Sequence, residues 1–366
     1  MFGEATDRRP MRAGTEGMPT MTDAMMTVRP RLALALQGGG AHGAYGWGVL
    51  ERLLEEDVEI VAVSGASAGA LNGAALVAGL AAGGRDGACA GLERLWRAVS
   101  NGSPLRAFDV DHWGGPLFEP WLRRSLEISK LFSRYIAPFA PHIRDMRALR
   151  RIVTQTIDLS ALARPDALPL HIAATRVENG SARLFANAEI TVDALMASAC
   201  LPDLFAAVTI DGEDYWDGGF SANPALEPLI FGDAGATDML IVQITPFTNE
   251  DVASSLSGIM ARMSDIGFNA CLLRDLKALT EVQAIAREAH SASPKMQALA
   301  ATNLHLMQAA PELAQRGSAS KIDTRWTQIE DLRALGRATA DAWLAEHRPV
   351  FGRMSTPTDL PEAVAA

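Results

Sequence analysis

The sequence predicts an α/β fold built on a mostly parallel sheet, and three observations carry that expectation. An apolar run at residues 32–36 ends in Gly38-Gly39-Gly40, and a helical stretch follows with Tyr45, Val49, Leu50, Leu53 and Leu54 on one face. A second apolar run at 60–63 ends in Gly65-Ala66-Ser67-Ala68-Gly69 and opens into an alanine-rich helix. Strand, loop, helix, strand, turn and helix in this order form a βαβ unit, and open sheets of that kind place their ligands beyond the carboxyl ends of the strands. The third observation is residues 239–245, MLIVQIT, which read as a central strand covered on both faces.

The remaining elements follow in order. Residues 1–30 have no apolar run and no secretory h-region, and they are expected to be disordered. Helix 70–80 is followed by a Gly- and Ala-rich turn at 79–87. A second helix then spans 88–100, with Leu92, Leu95 and Trp96 inward. Residues 101–141 break the pattern with Gly, Pro and aromatics, and 143–156 read as a basic amphipathic helix. Strand 170–177, the turn Glu178-Asn179-Gly180 and strand 182–186 make a hairpin. Helix 191–199 ends before Pro202. A short run at 207–210 turns at Asp211-Gly212 and leads into Tyr215-Trp216-Asp217-Gly218-Gly219.

Beyond residue 250 the pattern becomes helical. Leu256, Ile259, Met263, Ile266, Ala270 and Leu273 recur at alternating three and four, the narrow stripe of a helix packed on one partner. Core packing is the first reading of that stripe, and pairing with another subunit, as a homo-oligomer through the C-terminal helices, is the second. Residues 291–320 read as a helical connector, 328–347 as a last helix with Ile329, Leu332, Leu335 and Trp343 inward, and the tail as loose. The expected organisation is a disordered segment at 1–30, a catalytic α/β domain at 31–250, a C-terminal helical extension at 251–350 and a loose tail at 351–366.

At 366 residues and 48% hydrophobic, the chain has material for a large buried core. A formal charge of −10 argues against a nucleic-acid partner. Three widely spaced cysteines, Cys89, Cys200 and Cys271, suggest neither a disulfide framework nor a zinc site, so no metal and no cofactor are expected. No stretch of eighteen apolar residues occurs. The expected location is therefore the cytoplasm, peripheral to the membrane, with no transmembrane helix.

The chemistry concentrates at the strand ends. Gly65-Ala66-Ser67-Ala68-Gly69 is G-x-S-x-G between a strand and a helix, a nucleophile elbow that exposes the serine hydroxyl at the helix N-terminus. Gly38, Gly40 and Gly43 also spell G-x-G-x-x-G, but the acidic residue that would hold a ribose at the end of the second strand is absent. The competing reading is an oxyanion hole, in which consecutive glycines aim backbone amides at a developing alkoxide. A base for Ser67 is still required. No histidine stands in a convincing triad context. Asp217, followed by Gly218 and Gly219, is a carboxylate in a tight turn that could be brought against Ser67 as general base.

QGGGAHGAY, GASAG and DGG, in this order, resemble the motifs of the patatin-like phospholipases, as do Ala197–Pro202 (ASACLP) and Asn223-Pro224. The resemblance runs from about residue 32 to 246. It implies a three-layer α/β/α fold and an acyl hydrolase with a Ser-Asp dyad. Carried over by motif, Ser67 is the nucleophile, Asp217 the base, and the amides of Gly38, Gly39 and Gly40 form the oxyanion hole. One departure is visible. The family often has Arg or Lys before the last glycine of its loop, where this chain has His42.

The leading expectation is a serine hydrolase of lipid esters, of phospholipase A or lysophospholipase type. One alternative is a carboxylesterase with a Ser-His-Asp triad using His290, His305 or His347, and another is a non-catalytic lipid- or partner-binding protein. A lipid or membrane surface is the expected partner. Phe108, Trp113, Phe118, Trp121, Phe132, Tyr135 and Phe139 crowd one stretch, and residues 123–151 hold eight basic side chains against two acids. Residues 108–151 are accordingly the candidate lid and docking face.

Overall fold

The computed structural model describes residues 29–102, 146–249, 256–289, 292–316 and 318–356. The chain opens with strand β1 (Arg31–Leu36), helix α1 (Gly43–Leu54), strand β2 (Glu59–Ala66) and helix α2 (Ala68–Asn101). Helix α3 (Arg147–Thr156), strands β3 (Leu170–Arg176) and β4 (Ala182–Ala186) and helix α4 (Val192–Ser198) follow. Then come the hairpin β5 (Val208–Ile210) and β6 (Glu213–Asp217), helix α5 (Glu227–Phe231) and strand β7 (Asp238–Val242). The last part holds helices α6 (Leu256–Ala289) and α7 (Pro294–Ala301), strand β8 (Asn303–Met307) and helix α8 (Trp326–His347).

These strands form one sheet in the order β5-β6-β3-β2-β1-β7-β8, with β4 also paired to β3. The pairs β3/β2, β2/β1, β1/β7 and β7/β8 are parallel, and the β4 and β6 pairings are antiparallel. The period-two pleat of β1 explains the layering. Leu32, Leu34 and Leu36 face a core shared with α1, α2 and α8, while Ala33 and Ala35 face a second core with Leu229, Leu272 and Leu299 of α5, α6 and α7. Helices on both faces make a three-layer α/β/α sandwich.

The expected glycine turn between two helices holds: α2 is two helices joined across a kink at Gly83 and Gly84, where the backbone leaves helical geometry. Other expectations change. Residues 251–350 are not a purely helical extension: β8 extends the central sheet, parallel to β7. Asn303 and His305 interrupt the apolar pattern of this strand. Both are buried, and both donate to Asp238 Oδ1, at 3.3 and 2.9 Å. The start of the tail is fixed rather than loose, because Phe351 is buried and the Gly352 amide donates to the Asp238 carboxylate.

The apolar stripe of α6 does not pack on the core. Ile259, Met263 and Ile266 are 44%, 61% and 53% exposed, whereas Phe268, Leu272, Leu276, Gln283 and Ala286 form the buried line. The buried line was hidden by Gln283, whose Nε2 donates to the carbonyls of Leu299 and Thr302 and so enters the core with its amide donor paired. Residues 1–28 lie outside the described residues, as does most of the candidate lid. Its last residues begin α3, where exposed Arg150 pairs with Asp193.

Candidate active site

Ser67 sits at the junction of β2 and α2. Its φ of 54° and ψ of −125° put a non-glycine residue in the left-handed half of backbone space, at a cost of about 1–3 kcal/mol. The turn closes because its neighbours lack side chains. A Cβ on Gly69 would lie 2.1 Å from the Leu36 carbonyl oxygen, and one on Gly65 would lie 2.5 Å from that of Gly69. The Ser67 amide donates to the buried Ser198 hydroxyl at 3.0 Å, which ties the elbow to the end of α4. Ser67 is also the N-cap of α2, so it stands at the positive end of the helix dipole.

The register of β3 brings Asp217 to this point. β4 takes one edge of β3, from His171 to Thr175. β2 and β6 both overlap that span, so they must share the other edge. β2 runs parallel and ends with Ala66 opposite Ala173, and β6 runs antiparallel and ends with Asp217 opposite Ala174. Two strands therefore meet tip to tip on adjacent positions of a third, with Ser67 just past one tip and Asp217 at the other. The Asp217 amide donates to the Cys200 carbonyl at 2.8 Å, and its carbonyl accepts from Thr175 Oγ1 at 2.8 Å, so the backbone is held on both sides.

The Asp217 carboxylate is fully buried. Burial pushes its pKa from 3.8 up to about 7, and the Gly219 amide and the Ser67 hydroxyl moderate that rise. Oδ1 accepts from Gly219 N–H at 2.8 Å, while Oδ2 has no formed hydrogen bond among the described residues. Gly218 lets the turn pass β3, since a Cβ there would lie 2.1 Å from the Ala173 carbonyl oxygen.

The glycine loop lies against the same point, and a Cβ on Gly38 would lie 2.6 Å from Ser67 Cβ. Its three amides are not equivalent. That of Gly38 donates to buried Asn223 Oδ1 at 2.8 Å, which corrects the expectation of three oxyanion donors. The fold assigns no partner to the amides of Gly39 and Gly40 among the described residues. His42 is buried, and its Nε2 lies 2.7 Å from Ser320 Oγ. Burial, then Lys321 and Arg316, push its pKa down to about 3, so the imidazole is neutral where the family often carries a cation.

The two described histidines of the triad alternative are elsewhere. His305 is buried on β8 against Asp238, three strands from β2, or about 14 Å at normal strand spacing. The His347 Nδ1 hydrogen-bonds to the Trp343 carbonyl near the end of α8. His290 lies outside the described residues. Among the described residues no three His, Cys, Asp or Glu side chains group as metal ligands, and no helix is long and apolar enough to cross a membrane. Residue chemistry alone did not point to Ser198, Asn223 or Gln37. All three stand in stretches that carry the family resemblance, but their role, holding backbone, shows only once their partners are known.

A glycine loop and a strained serine at the ends of the adjacent parallel strands β1 and β2 meet a buried carboxylate at the tip of antiparallel β6, on an α/β/α scaffold. The patatin-like phospholipase family matches residues 34–230, more than half of the chain, and the chain belongs to that family of lipid hydrolases. Among solved structures the chain is similar to VipD from Legionella pneumophila, at 13% identity over 84% of this chain and 67% of that one, with a TM-score of 0.36. No curated protein matches it.

Proposed function

We propose that the chain is a serine lipid acyl hydrolase of phospholipase A or lysophospholipase type, working through Ser67 and Asp217. The observation that carries this reading is the shared edge of β3, which sets the strained serine beside a carboxylate with one unengaged oxygen and a pKa near neutrality. Ser67 Oγ attacks the ester carbonyl carbon while its proton passes to Asp217 Oδ2. The carbonyl oxygen becomes an alkoxide facing the amides of Gly39 and Gly40, with the α2 dipole behind it. Collapse breaks the bond to the alcohol, which leaves with the proton from Asp217. The acyl group is then on Ser67. Water gives a proton to Asp217 and attacks the acyl carbon, and the fatty acid departs as the proton returns to Ser67.

A carboxylate with a pKa near 7 is suited to both halves of this cycle. It is basic enough to take the serine proton and acidic enough to return one to the leaving group near neutral pH. A fluorophosphonate probe and a soluble p-nitrophenyl ester test the reading together. The wild-type protein is expected to be labelled and to hydrolyse the ester, and Ser67→Ala to do neither. Labelling that survives in Ser67→Ala, or ester turnover that does, refutes Ser67 as the nucleophile.

A further inference from the structure

The two free amides proposed for the oxyanion belong to a loop whose ends are anchored by residues outside the family match. At the start of the loop, buried Gln37 donates from Nε2 to Asn269 Oδ1 on α6 at 2.9 Å. Its Oε1 accepts from the amides of Ile244 and Thr245, both at 2.8 Å. Asn269 is itself buried, and its Nδ2 donates to the Pro246 carbonyl at 3.0 Å. At the end of the loop, the His42 ring meets Ser320 Oγ in the 3-10 turn Ser318–Ile322. Nδ1 of that ring is buried with no hydrogen bond among the described residues, so Ser320 is what fixes the ring there.

The same turn presses on the middle of the loop. Gly40 has φ +60°, and a Cβ there would lie 2.4 Å from the Lys321 carbonyl oxygen. Lys321 is anchored in turn, with Nζ 2.5 Å from Asp265 on α6. A loop clamped at Gln37 and at His42 has little freedom to move Gly39 and Gly40. Donor placement matters because misplacing a catalytic group by about 1 Å can cost a factor of about a hundred in rate.

We propose that Asn269 and Ser320 are positioning residues for the oxyanion loop, so that the chain beyond residue 230 is part of the catalytic apparatus. They touch no substrate atom. They act through Gln37 and His42 on where the Gly39 and Gly40 amides point. The neutral state of His42 suits this role, since an uncharged ring can hold one hydrogen bond in a buried site without a counter-ion.

The proposal rests on the hydrolase reading, and the experiment separates the two. Fluorophosphonate titration counts competent Ser67 sites, and kcat and KM for p-nitrophenyl butyrate are then expressed per titrated site, with melting temperature measured alongside. Ser320→Ala and Asn269→Ala are each expected to lower kcat per site about tenfold with KM within about twofold. Ser320→Thr, which keeps a hydroxyl, is expected to restore most of the rate. Unchanged kcat per site in both alanine variants overturns the proposal. So does a lower melting temperature or titratable fraction with kcat per site intact, which would make the two residues structural only. Failure of Ser320→Thr to recover any rate overturns the part assigned to the Ser320 hydroxyl. Wild-type protein that takes no probe and turns over no ester overturns the hydrolase reading and this proposal with it.

Discussion

Replacing Asp217 by asparagine should stop the chemistry and, at alkaline pH, make the protein more stable. Asp217 has its pKa at about 7 in the native state against 3.8 as a free side chain. Between those values the folded protein holds a proton that the unfolded chain has lost, so native stability falls as pH rises. A shift of about three pKa units corresponds to about 4 kcal/mol, absent below the lower value and fully felt above the upper one. An asparagine side chain cannot ionise, so the Asp217→Asn variant escapes this loss. It carries a different cost: an amide NH2 is placed where Oδ2 has no partner, worth about 1–3 kcal/mol and independent of pH. The difference in stability between variant and wild type should therefore move in favour of the variant by about 4 kcal/mol from about pH 4 to about pH 8. Urea unfolding followed by tryptophan fluorescence at several pH values measures that movement. Ester hydrolysis by the same variant should fall about a thousandfold or more, because the base is gone. A stability difference that stays flat with pH would show that Asp217 is not desolvated in the fold. Near-normal hydrolysis would show that the base lies elsewhere.

Other outcomes follow from the same geometry. For wild-type protein, kcat/KM on an uncharged soluble ester should rise about tenfold per pH unit below about pH 7 and level off above it, as Asp217 loses its proton; a flat profile from about pH 5 to about pH 8 would contradict this base. In Gly39→Ala the new Cβ would meet Ile244 Cγ2 at 2.8 Å and displace the amide, so kcat should fall about a hundredfold with little change in KM, measured on the same ester. His305→Ala and His347→Ala should keep their turnover per folded molecule, since neither side chain stands at the Ser67 site; loss in either would revive the triad reading. On α6, Ile266→Glu should change unfolding free energy by no more than about 0.5 kcal/mol, and Leu272→Ala should cost about 2–5 kcal/mol, because the first is exposed and the second fully buried.

What was legible in the sequence is what steric necessity writes locally. The elbow shows itself because Gly65 and Gly69 are needed for backbone to cross backbone, and β1, β2 and α1 because burial on known faces imposes a period. Asp217 was visible as a carboxylate in a tight turn. Its pairing with Ser67, however, depends on β2 and β6 sharing one edge of β3, and register between strands more than a hundred residues apart leaves no local trace. Amide satisfaction was equally hidden. Gly38, Gly39 and Gly40 are identical letters, and Asn223 takes the amide of only the first. Polar residues in the core misled in the opposite direction. Asn303 and His305 disguised β8, and Gln283 disguised the buried line of α6, since each looks solvent-facing until its partner is known. The exposed stripe on α6, meanwhile, is more regular than the line that is buried. Periodicity reports that a helix has an apolar face; only the partners of its polar residues tell which face the core accepts. The same reasoning explains why the C-terminal part looked separable. Its side-chain contacts with the loop, such as the amide of Asn269 with Gln37 and the hydroxyl of Ser320 with His42, join it to residues more than two hundred positions earlier.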